Sequence, residues 1–151
     1  MTMNNKQIKE IIIYTDGACS GNPGRGGYAA VIKYKDSRKI VKGFEKKTTN
    51  NKMELTAALK ALEIIKEPCE IKLYTDSAYL IGGITGWIKQ WQKNGWRTAG
   101  KKPVKNKELW EKLSFLNAKH NIRWIKVSGH SGDELNELCD RLAKEQITSI
   151  E

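Results

Sequence analysis

Four acidic residues stand at places where a carboxylate would face the end of a strand or one side of a helix. Asp16 ends a β-branched, aromatic run and Asp76 ends a second one, while Glu54 falls in the first turn of a predicted helix. Asp140 is predicted on the side of the last helix away from its leucines. Oxygen-only ligands favour Mg²⁺ or Mn²⁺ over zinc. Four such ligands beside one phosphodiester suit a two-metal hydrolytic site, with ions about 3.5–4 Å apart.

Each acid taken alone also has a local structural explanation. Asp16 could form an Asx turn, Glu54 could complete a capping box, and Asp76 could cap a helix. Asp140 and Lys144 are spaced i,i+4, and such a surface pair is worth only about 0.3–0.5 kcal/mol. For any single acid the local explanation is preferred, and only the convergence of all four on one place indicates a metal site.

The elements that must bring the acids together are predicted from apolar periodicity. Strands are predicted at 11–16, 28–34, 40–47, 71–75 and 122–127, and helices at 53–66, 77–84, 108–119 and 133–147. Short connections predict an antiparallel meander for the first three strands. The following strand, helix and strand predict a right-handed crossover and a parallel pair. If the first and fourth strands are parallel neighbours, Asp16 and Asp76 emerge side by side at a sheet edge, where ligands commonly bind.

Between the first two strands, the segment 17–27 holds five glycines and one proline in eleven residues. This composition predicts a shaped turn and not a strand. The backbone N–H groups of such a loop can bind phosphate, although the segment lacks the Walker pattern. A plain hairpin turn is the alternative.

Charge and length suggest one basic domain, 1–151, with a polyanionic partner. The chain has 27 Lys and Arg against 17 Asp and Glu, a formal net charge of +10. The segment Trp87–Lys107 holds seven of those cations, no acid, and three of the five tryptophans. Basic residues interleaved with aromatics are typical of nucleic-acid binding. The alternatives are a merely soluble basic protein, and a solvated helix and loop with tryptophans in the core.

The cysteines and histidines indicate the redox compartment of the protein and the residues that could transfer protons. Three widely spaced cysteines predict neither a disulfide framework nor structural zinc, which fits a reducing cytoplasm. We expect no secretory signal and no membrane span, because no apolar run has the necessary length. His130 lies in a glycine-flanked loop, where an imidazole could shuttle a proton. His120 is expected to be structural or exposed.

Seven motifs, in order and spread over about residues 11–143, give the chain a wider resemblance. They are Tyr14-Thr15-Asp16-Gly17, Gly21–Gly24, Thr48–Glu54, Tyr74–Ser77, Pro103–Asn106, Gly129-His130 and Asn136–Asp140. With these pieces the chain resembles the bacterial type 1 ribonuclease H family. The resemblance implies an α/β fold, with a five-stranded mixed sheet in the order 3-2-1-4-5 flanked by helices on both sides.

The resemblance also implies an activity. The expected reaction is endonucleolytic hydrolysis of the RNA strand in RNA–DNA hybrids, leaving 5′-phosphate and 3′-hydroxyl ends. Asp16, Glu54, Asp76 and Asp140 match the family's metal ligands, and His130 matches its flexible-loop histidine. The expected cofactor is Mg²⁺, with Mn²⁺ as a possible substitute and two ions present when substrate is bound. The resemblance further suggests a cytoplasmic monomer with no obligatory protein partner.

Ten residues match family positions that contact the hybrid. The minor-groove set is Asn22, Asn50 and Asn51; the DNA-phosphate pocket is Lys47, Thr49 and Asn106; the DNA-strand channel has Trp87; and the basic protrusion, about 87–107, contributes Lys89, Lys93 and Arg97. Amides at the minor groove can recognise the RNA 2′-hydroxyl.

The chain also departs from the family pattern. Arg25 replaces a usual proline, Ala78 stands where many relatives have glutamine, and Lys47 replaces a usual arginine, losing bidentate geometry toward phosphate. Residues 131–135 differ from the usual loop. Two alternatives therefore stay open: a non-catalytic module that binds hybrid or duplex RNA, and a nuclease for DNA junctions on the same scaffold.

Overall fold

Runs of β-branched and aromatic residues build the sheet in the computed structural model, which describes residues 8–128 and 133–148. The strands are β1 (Glu10–Gly21), β2 (Gly24–Tyr34), β3 (Ser37–Thr48), β4 (Glu70–Thr75) and β5 (Asn121–Lys126). They form one five-stranded sheet in the order β3-β2-β1-β4-β5. The first three strands are antiparallel, and β4 runs parallel to both β1 and β5. The predicted meander, parallel pairing and strand order are confirmed.

Five helices accompany the sheet in the described part of the chain. They are α1 (Asn50–Ile64), α2 (Ala78–Gly82), α3 (Ile88–Lys93), α4 (Lys107–Lys119) and α5 (Glu134–Thr148). A π-helical turn at Gly83–Trp87 joins α2 to α3. The predicted helix end near residue 84 agrees with the end of α2 within two residues, and the π-helical turn then continues the helical path into α3. Gly83 allows this turn to pass directly over the Trp110 ring.

The two faces of the sheet support different cores, because successive strand residues point to opposite sides. Ile11 and Ile13 of β1 belong to the large core that includes Leu55 and Leu62 of α1. Tyr14, from the other face, packs with Val31 and with Cys139 of α5. Carboxylates carried by α1 and α5 therefore reach the sheet from opposite sides.

Two predicted helix faces differ from those observed. In α4 the predicted inward residues Leu113 and Leu116 are buried and Leu109 packs against the core, but Trp110, which was not predicted inward, is fully buried as well. In α5, Asn136 and Ala143 are buried, although their side was predicted to face away from the leucine stripe. The reason is close packing, because Gly27 of β2 lies directly against the Ala143 carbonyl group.

The glycine-rich segment 17–27 is a continuation of the sheet, so the prediction of a shaped turn is wrong. β1 and β2 stay paired from Asp16↔Ala29 out to Gly21↔Gly24, which realises the hairpin alternative. Its glycines serve packing more than turning. A Cβ on Gly26 would stand 2.4 Å from the Thr48 side chain, for example.

No helix in residues 8–128 or 133–148 is both long enough and apolar enough to cross a membrane.

Candidate active site

Three carboxylates meet at one edge of the sheet. Asp16, Glu54 and Asp76 each offer one carboxylate oxygen, and the three oxygens lie within 4.8 Å of one another. Asp16 and Glu54 are each only 5% exposed, and Asp76 is half-buried. The three residues come from β1, α1 and the end of β4, so the cluster exists only in the folded chain.

Strand register places Asp16 beside Asp76. The parallel pairing of β1 and β4 ends at Tyr14↔Tyr74, and each acid follows its tyrosine by two residues. Asp16 does not end β1 as predicted, since β1 continues to Gly21 by pairing with β2 alone. Asp16 instead lies just past the last residue of β1 that pairs with β4. It therefore still lies beside Asp76, as predicted.

The absence of a side chain at Gly17 brings Glu54 into the cluster. A Cβ at Gly17 would stand 2.6 Å from the Glu54 backbone nitrogen and 2.6 Å from the Met53 carbonyl carbon. Helix α1 can therefore cross β1 at this height only over a glycine. The helix begins one turn earlier, where the Thr49 side chain caps it by accepting a hydrogen bond from the Lys52 N–H.

The fourth predicted acid occupies a more exposed position. Asp140 lies on α5, with its side chain 45% exposed and its Oδ2 3.1 Å from the Lys144 Nζ. It is not part of the three-carboxylate cluster. It lies close enough to Asp16 for its negative charge to contribute to raising the pKa of the Asp16 carboxyl group. Asp140 therefore both forms the local ion pair with Lys144 and lies near the carboxylate cluster.

A cleft of about 580 Å³ opens at the start of α1, the helix that carries Glu54, although none of the three clustered acids lines it. It is lined by Asn22, Thr49, Asn51, Tyr79, Trp87, Trp91, Thr98, Lys102, Pro103, Val104, Lys105 and Asn106. Thr49 and Asn51 lie at the start of α1, less than two turns before Glu54. Trp87 is 47% exposed, which leaves an aromatic surface open to solvent. The cleft thus combines amides, aromatic rings and two lysines next to a carboxylate cluster.

Comparison with known proteins identifies this arrangement. The family model for RNase H matches residues 8–148. The chain belongs to the RNase H family. It is 57% identical over 141 residues to the ribonuclease H of Acetivibrio thermocellus, covering 93% of this chain and 96% of that protein. It is also 57% identical over 145 residues to the ribonuclease H of Caldanaerobacter subterraneus subsp. tengcongensis, covering 95% and 94% of the two chains. The predicted class of enzyme, a ribonuclease and hence a hydrolase, is confirmed.

Solved structures of RNase H proteins share the fold. LC9-RNase H1, described as a type 1 RNase H with the type 2 active-site motif, superposes with a TM-score of 0.84 at 28% identity. The match covers 95% of this chain and 74% of that one. LC11-RNase H1, solved in complex with an RNA/DNA hybrid, superposes with a TM-score of 0.70 at 26% identity, over 91% and 96% of the two chains.

Burial and mutual repulsion both raise the pKa values in this RNase H acid cluster. Burial, and then the negative charges of Asp76 and Asp140, raise the pKa of Asp16 from 3.8 to about 8. Burial, followed by the charges of Asp16 and Asp76, raises the pKa of Glu54 well above its ordinary value. The cause is general, because clustered carboxylates without a compensating cation hold protons instead of ionising together.

The donor set fits a hard divalent cation. Oε1 of Glu54 is buried and has no hydrogen-bond partner among residues 8–128 and 133–148. Its neighbours are carboxylate oxygens of Asp16 and Asp76, which are the ligand type that Mg²⁺ and Mn²⁺ prefer. A cation there would supply the missing partner and remove the repulsion that raises the pKa values.

The local explanations for the cluster acids mostly fail. The N-cap of α2 is Ser77, whose Oγ accepts from the Leu80 N–H, so Asp76 does not cap that helix. The N-cap of α1 is Thr49, and Glu54 does not close a capping box. Asp16 does accept a hydrogen bond from the adjacent Gly17 N–H at 2.9 Å, which leaves its second oxygen for the cluster.

The predicted substrate contacts fall into two groups. Five line the cleft: Asn22, Thr49, Asn51, Trp87 and Asn106. The other five do not line it: Lys47, Asn50, Lys89, Lys93 and Arg97. Asn50 lies at the rim, where its N–H donates to Asn22 Oδ1 at 3.1 Å. Arg97 is turned back on its own loop, since its guanidinium donates to the Lys101 carbonyl oxygen. His130 lies outside the described residues.

Seven cleft-lining residues lie outside the ten matched family positions, among them two lysines and a tyrosine. Lys102 and Lys105 line the cleft because the loop folds back on itself, through the bridge between Arg97 and Pro103. The basic composition indicated cations here, but not which of them would face inward. The Tyr79 hydroxyl accepts hydrogen bonds from Asn106 Nδ2 at 3.2 Å and Trp110 Nε1 at 3.3 Å. The sequence offered one indication that Tyr79 would lie near the site, namely its position three residues after Asp76.

His120 is structural, as predicted. It is buried, and its Nδ1 accepts the Cys69 N–H at 3.0 Å. Burial lowers the pKa of its imidazole, which favours the neutral form that this hydrogen bond requires.

Proposed function

We propose that the chain hydrolyses the RNA strand of RNA–DNA hybrids at internal phosphodiesters, using Mg²⁺, or Mn²⁺ as a substitute. The observation that carries the proposal is a buried carboxylate cluster beside a cleft with polar and aromatic lining. LC11-RNase H1, which shares the fold, was solved with an RNA/DNA hybrid, and this supports the choice of substrate.

The carboxylates are proposed to hold the cations, which would in turn bind the scissile phosphate. Asp16 lies centrally, between the Glu54 side and the Asp140 side of the sheet, so its carboxylate would be the one placed to serve both cations. Two divalent cations in such a site supply a lowered pKa for the attacking water and stabilisation of the departing oxygen. Water adds to phosphorus as the P–O3′ bond breaks. The phosphate stays on the 5′ end and the 3′ oxygen takes a proton, which yields 3′-hydroxyl and 5′-phosphate ends.

The cleft is proposed to recognise the two strands by different means. Asn22 and Asn51 present amides that can bond to the RNA 2′-hydroxyl and minor-groove base edges. Trp87 offers an exposed ring to the sugars or bases of the DNA strand, and aromatic stacking tolerates any sequence. Lys102 and Lys105 attract backbone phosphates without reading sequence. Lys47, Asn50, Lys89, Lys93 and Arg97 stay proposed as outer contacts, and His130 as a proton shuttle.

The decisive experiment compares Asp16→Asn with Asp36→Asn, using a labelled hybrid and Mg²⁺. Asp36 lies exposed in the turn between β2 and β3, so it controls for the loss of one negative charge. We expect Asp16→Asn to lower kcat by more than about 100-fold, since even outer groups of a metal site cost 10–100-fold. Asp36→Asn should match the wild type.

The same assay contains the outcomes that contradict the proposal. Equal cleavage by both variants would remove Asp16 from the mechanism. Cleavage of duplex RNA or of DNA junctions at the hybrid rate would point to another substrate. Binding of hybrid with no turnover at any Mg²⁺ concentration would leave only a binding module.

We also propose that the enzyme acts as a cytoplasmic monomer. The acid cluster and the cleft are both formed by residues of one chain. Cys19, Cys69 and Cys139 are all free thiols, which suits a reducing compartment. Sedimentation equilibrium in the presence of hybrid would test the monomer, and a dimer mass would contradict it.

A further inference from the structure

Helix α5 is tied to the middle of the sheet by one tyrosine. The Tyr14 hydroxyl of β1 donates a hydrogen bond of 2.7 Å to Asp133 Oδ2, across 119 positions of sequence. Tyr14 is only 8% exposed, so the bond lies largely away from solvent. Hydrogen bonds to a charged partner in such places are among the stronger ones in proteins.

Asp133 uses its other oxygen to start the helix. Its Oδ1 accepts from the backbone N–H groups of Leu135 at 3.0 Å and Asn136 at 3.4 Å. Its carbonyl oxygen accepts from the Glu137 N–H, in the first helical turn. This is the geometry of a helix N-cap. One carboxylate thus joins the start of α5 to the centre of β1.

The same tyrosine holds α5 at a second point. The Cys139 thiol donates to the Tyr14 carbonyl oxygen at 3.3 Å, and Cys139 is fully buried. Cys139 directly precedes Asp140, and Tyr14 lies two residues before Asp16 on the same face of β1. The distance between the Asp16 and Asp140 carboxylates therefore depends on the two hydrogen bonds that join Tyr14 to helix α5 and its N-cap.

We propose that Tyr14 and Asp133 are positioning residues, whose hydrogen bond fixes α5 so that Asp140 faces the carboxylate cluster. This rests on the proposed function only in taking Asp140 as a metal ligand. Neither residue belongs to the carboxylate cluster or lines the cleft. Asp140 is the acid that needs such support, because its side chain is 45% exposed and it is carried by a helix and not by the sheet.

The test uses Tyr14→Phe, which removes the hydroxyl and keeps the ring. Tyr74→Phe is the matched control, because Tyr74 stacks on Tyr14 with ring centroids 4.6 Å apart and also carries a hydroxyl group, on the neighbouring strand β4. Two quantities are measured: kcat and KM on hybrid, and Mn²⁺ binding by electron paramagnetic resonance without nucleic acid. We expect Tyr14→Phe to lower kcat and weaken Mn²⁺ binding about ten-fold with KM unchanged. Tyr74→Phe should change neither by more than about two-fold.

Asp133→Ser provides a second, independent variant. Serine is a good N-cap, so α5 should still form, but its side chain is too short to cap the helix and reach Tyr14 together. We expect the effects of Tyr14→Phe to be reproduced, with no further loss when the two changes are combined. In the Asp140→Asn background, Tyr14→Phe should have no additional effect, because the group that it positions is gone.

Two results would overturn the proposal. One is a Tyr14→Phe variant with a lowered Tm but unchanged kcat and Mn²⁺ binding, which would make the bond purely structural. The other is full additivity of Tyr14→Phe with Asp140→Asn. The Mn²⁺ readout also separates this proposal from the function. If the wild type failed to cut hybrid while Mn²⁺ binding still depended on Tyr14 through Asp140, the function would fail and the positioning role would stand.

Discussion

The carboxylate cluster and the cleft beside it are built in opposite ways. Asp16 and Glu54 are buried and held by backbone elements that touch without intervening side chains at Gly17. The cleft residues Lys102 and Lys105 are exposed and carried by a loop that is closed by an isolated bridge. The carboxylate cluster therefore has a fixed geometry and carries mutually repelling buried charges. The cleft has an adaptable geometry, and its charged groups remain solvated.

This difference indicates how large a displacement of its side chains each region tolerates before activity is lost. A metal-binding cluster depends on distances of a fraction of an ångström, so rigid elements must set it. Attraction to a phosphate backbone depends mainly on charge and varies gently with position. We therefore expect steep losses of kcat from small changes near the cluster and shallow changes of KM from larger changes in the cleft.

Outside the acids themselves, the largest effect on kcat should come from adding one methyl group at Gly17. In Gly17→Ala the Cβ would stand 2.6 Å from the Glu54 nitrogen, so α1 must move away from β1. We expect kcat to fall about 100-fold and stability to fall by about 1–3 kcal/mol. Gly86→Ala is the control, since a Cβ there would meet nothing within 4 Å. A normal kcat in Gly17→Ala would show that the contact does not position Glu54.

The second effect concerns stability and its dependence on pH. In chelator, Asp16 holds its proton up to about pH 8 when folded but only to about 3.8 in its ordinary state. The folded state therefore binds more protons between these values, and the group lowers stability as pH rises through this window. Asp16→Asn should abolish that loss and unfold at higher denaturant concentration at pH 8, by up to several kcal/mol at about 1.36 kcal/mol per pKa unit.

Urea unfolding at pH 5 and pH 8, with and without Mn²⁺, measures this effect. The variant should gain stability over the wild type at pH 8 in chelator and lose that advantage when Mn²⁺ is added. Identical pH profiles for the two proteins would mean that the cluster is not under electrostatic strain. The same change would thus stabilise the fold and destroy the activity.

The smallest effect is expected in the cleft. Lys102→Ala combined with Lys105→Ala should raise KM about ten-fold, leave kcat unchanged at saturation, and reduce the salt slope of binding by about 2. Lys89→Ala with Lys93→Ala removes the same charge outside the cleft lining, and Lys60→Ala with Lys66→Ala does so on and just after α1. If all three pairs gave the same slope, lining the cleft would not matter and only net charge would.

The sequence allowed more of the acid cluster than of the cleft to be predicted. Asp16 and Asp76 follow similar apolar runs, and their meeting needed only a parallel pairing of those strands. In α4 the burial of Trp110 was missed, because its close packing against Gly83 is a contact between distant segments that helical spacing does not indicate. The glycines of segment 17–27 were read as a turn because turn chemistry and close backbone packing call for the same residue.

By itself, the sequence determined the strands, their order, and which carboxylates could share a cation, because apolar periodicity and family motifs are local patterns. Only the tertiary structure decided that Glu54 reaches Asp16 over a bare Gly17, that Lys102 and Lys105 face the cleft, and that Tyr14 grips α5 through Asp133. These are contacts between distant segments. They depend on how closely two backbones approach, a quantity that no local pattern of residues encodes.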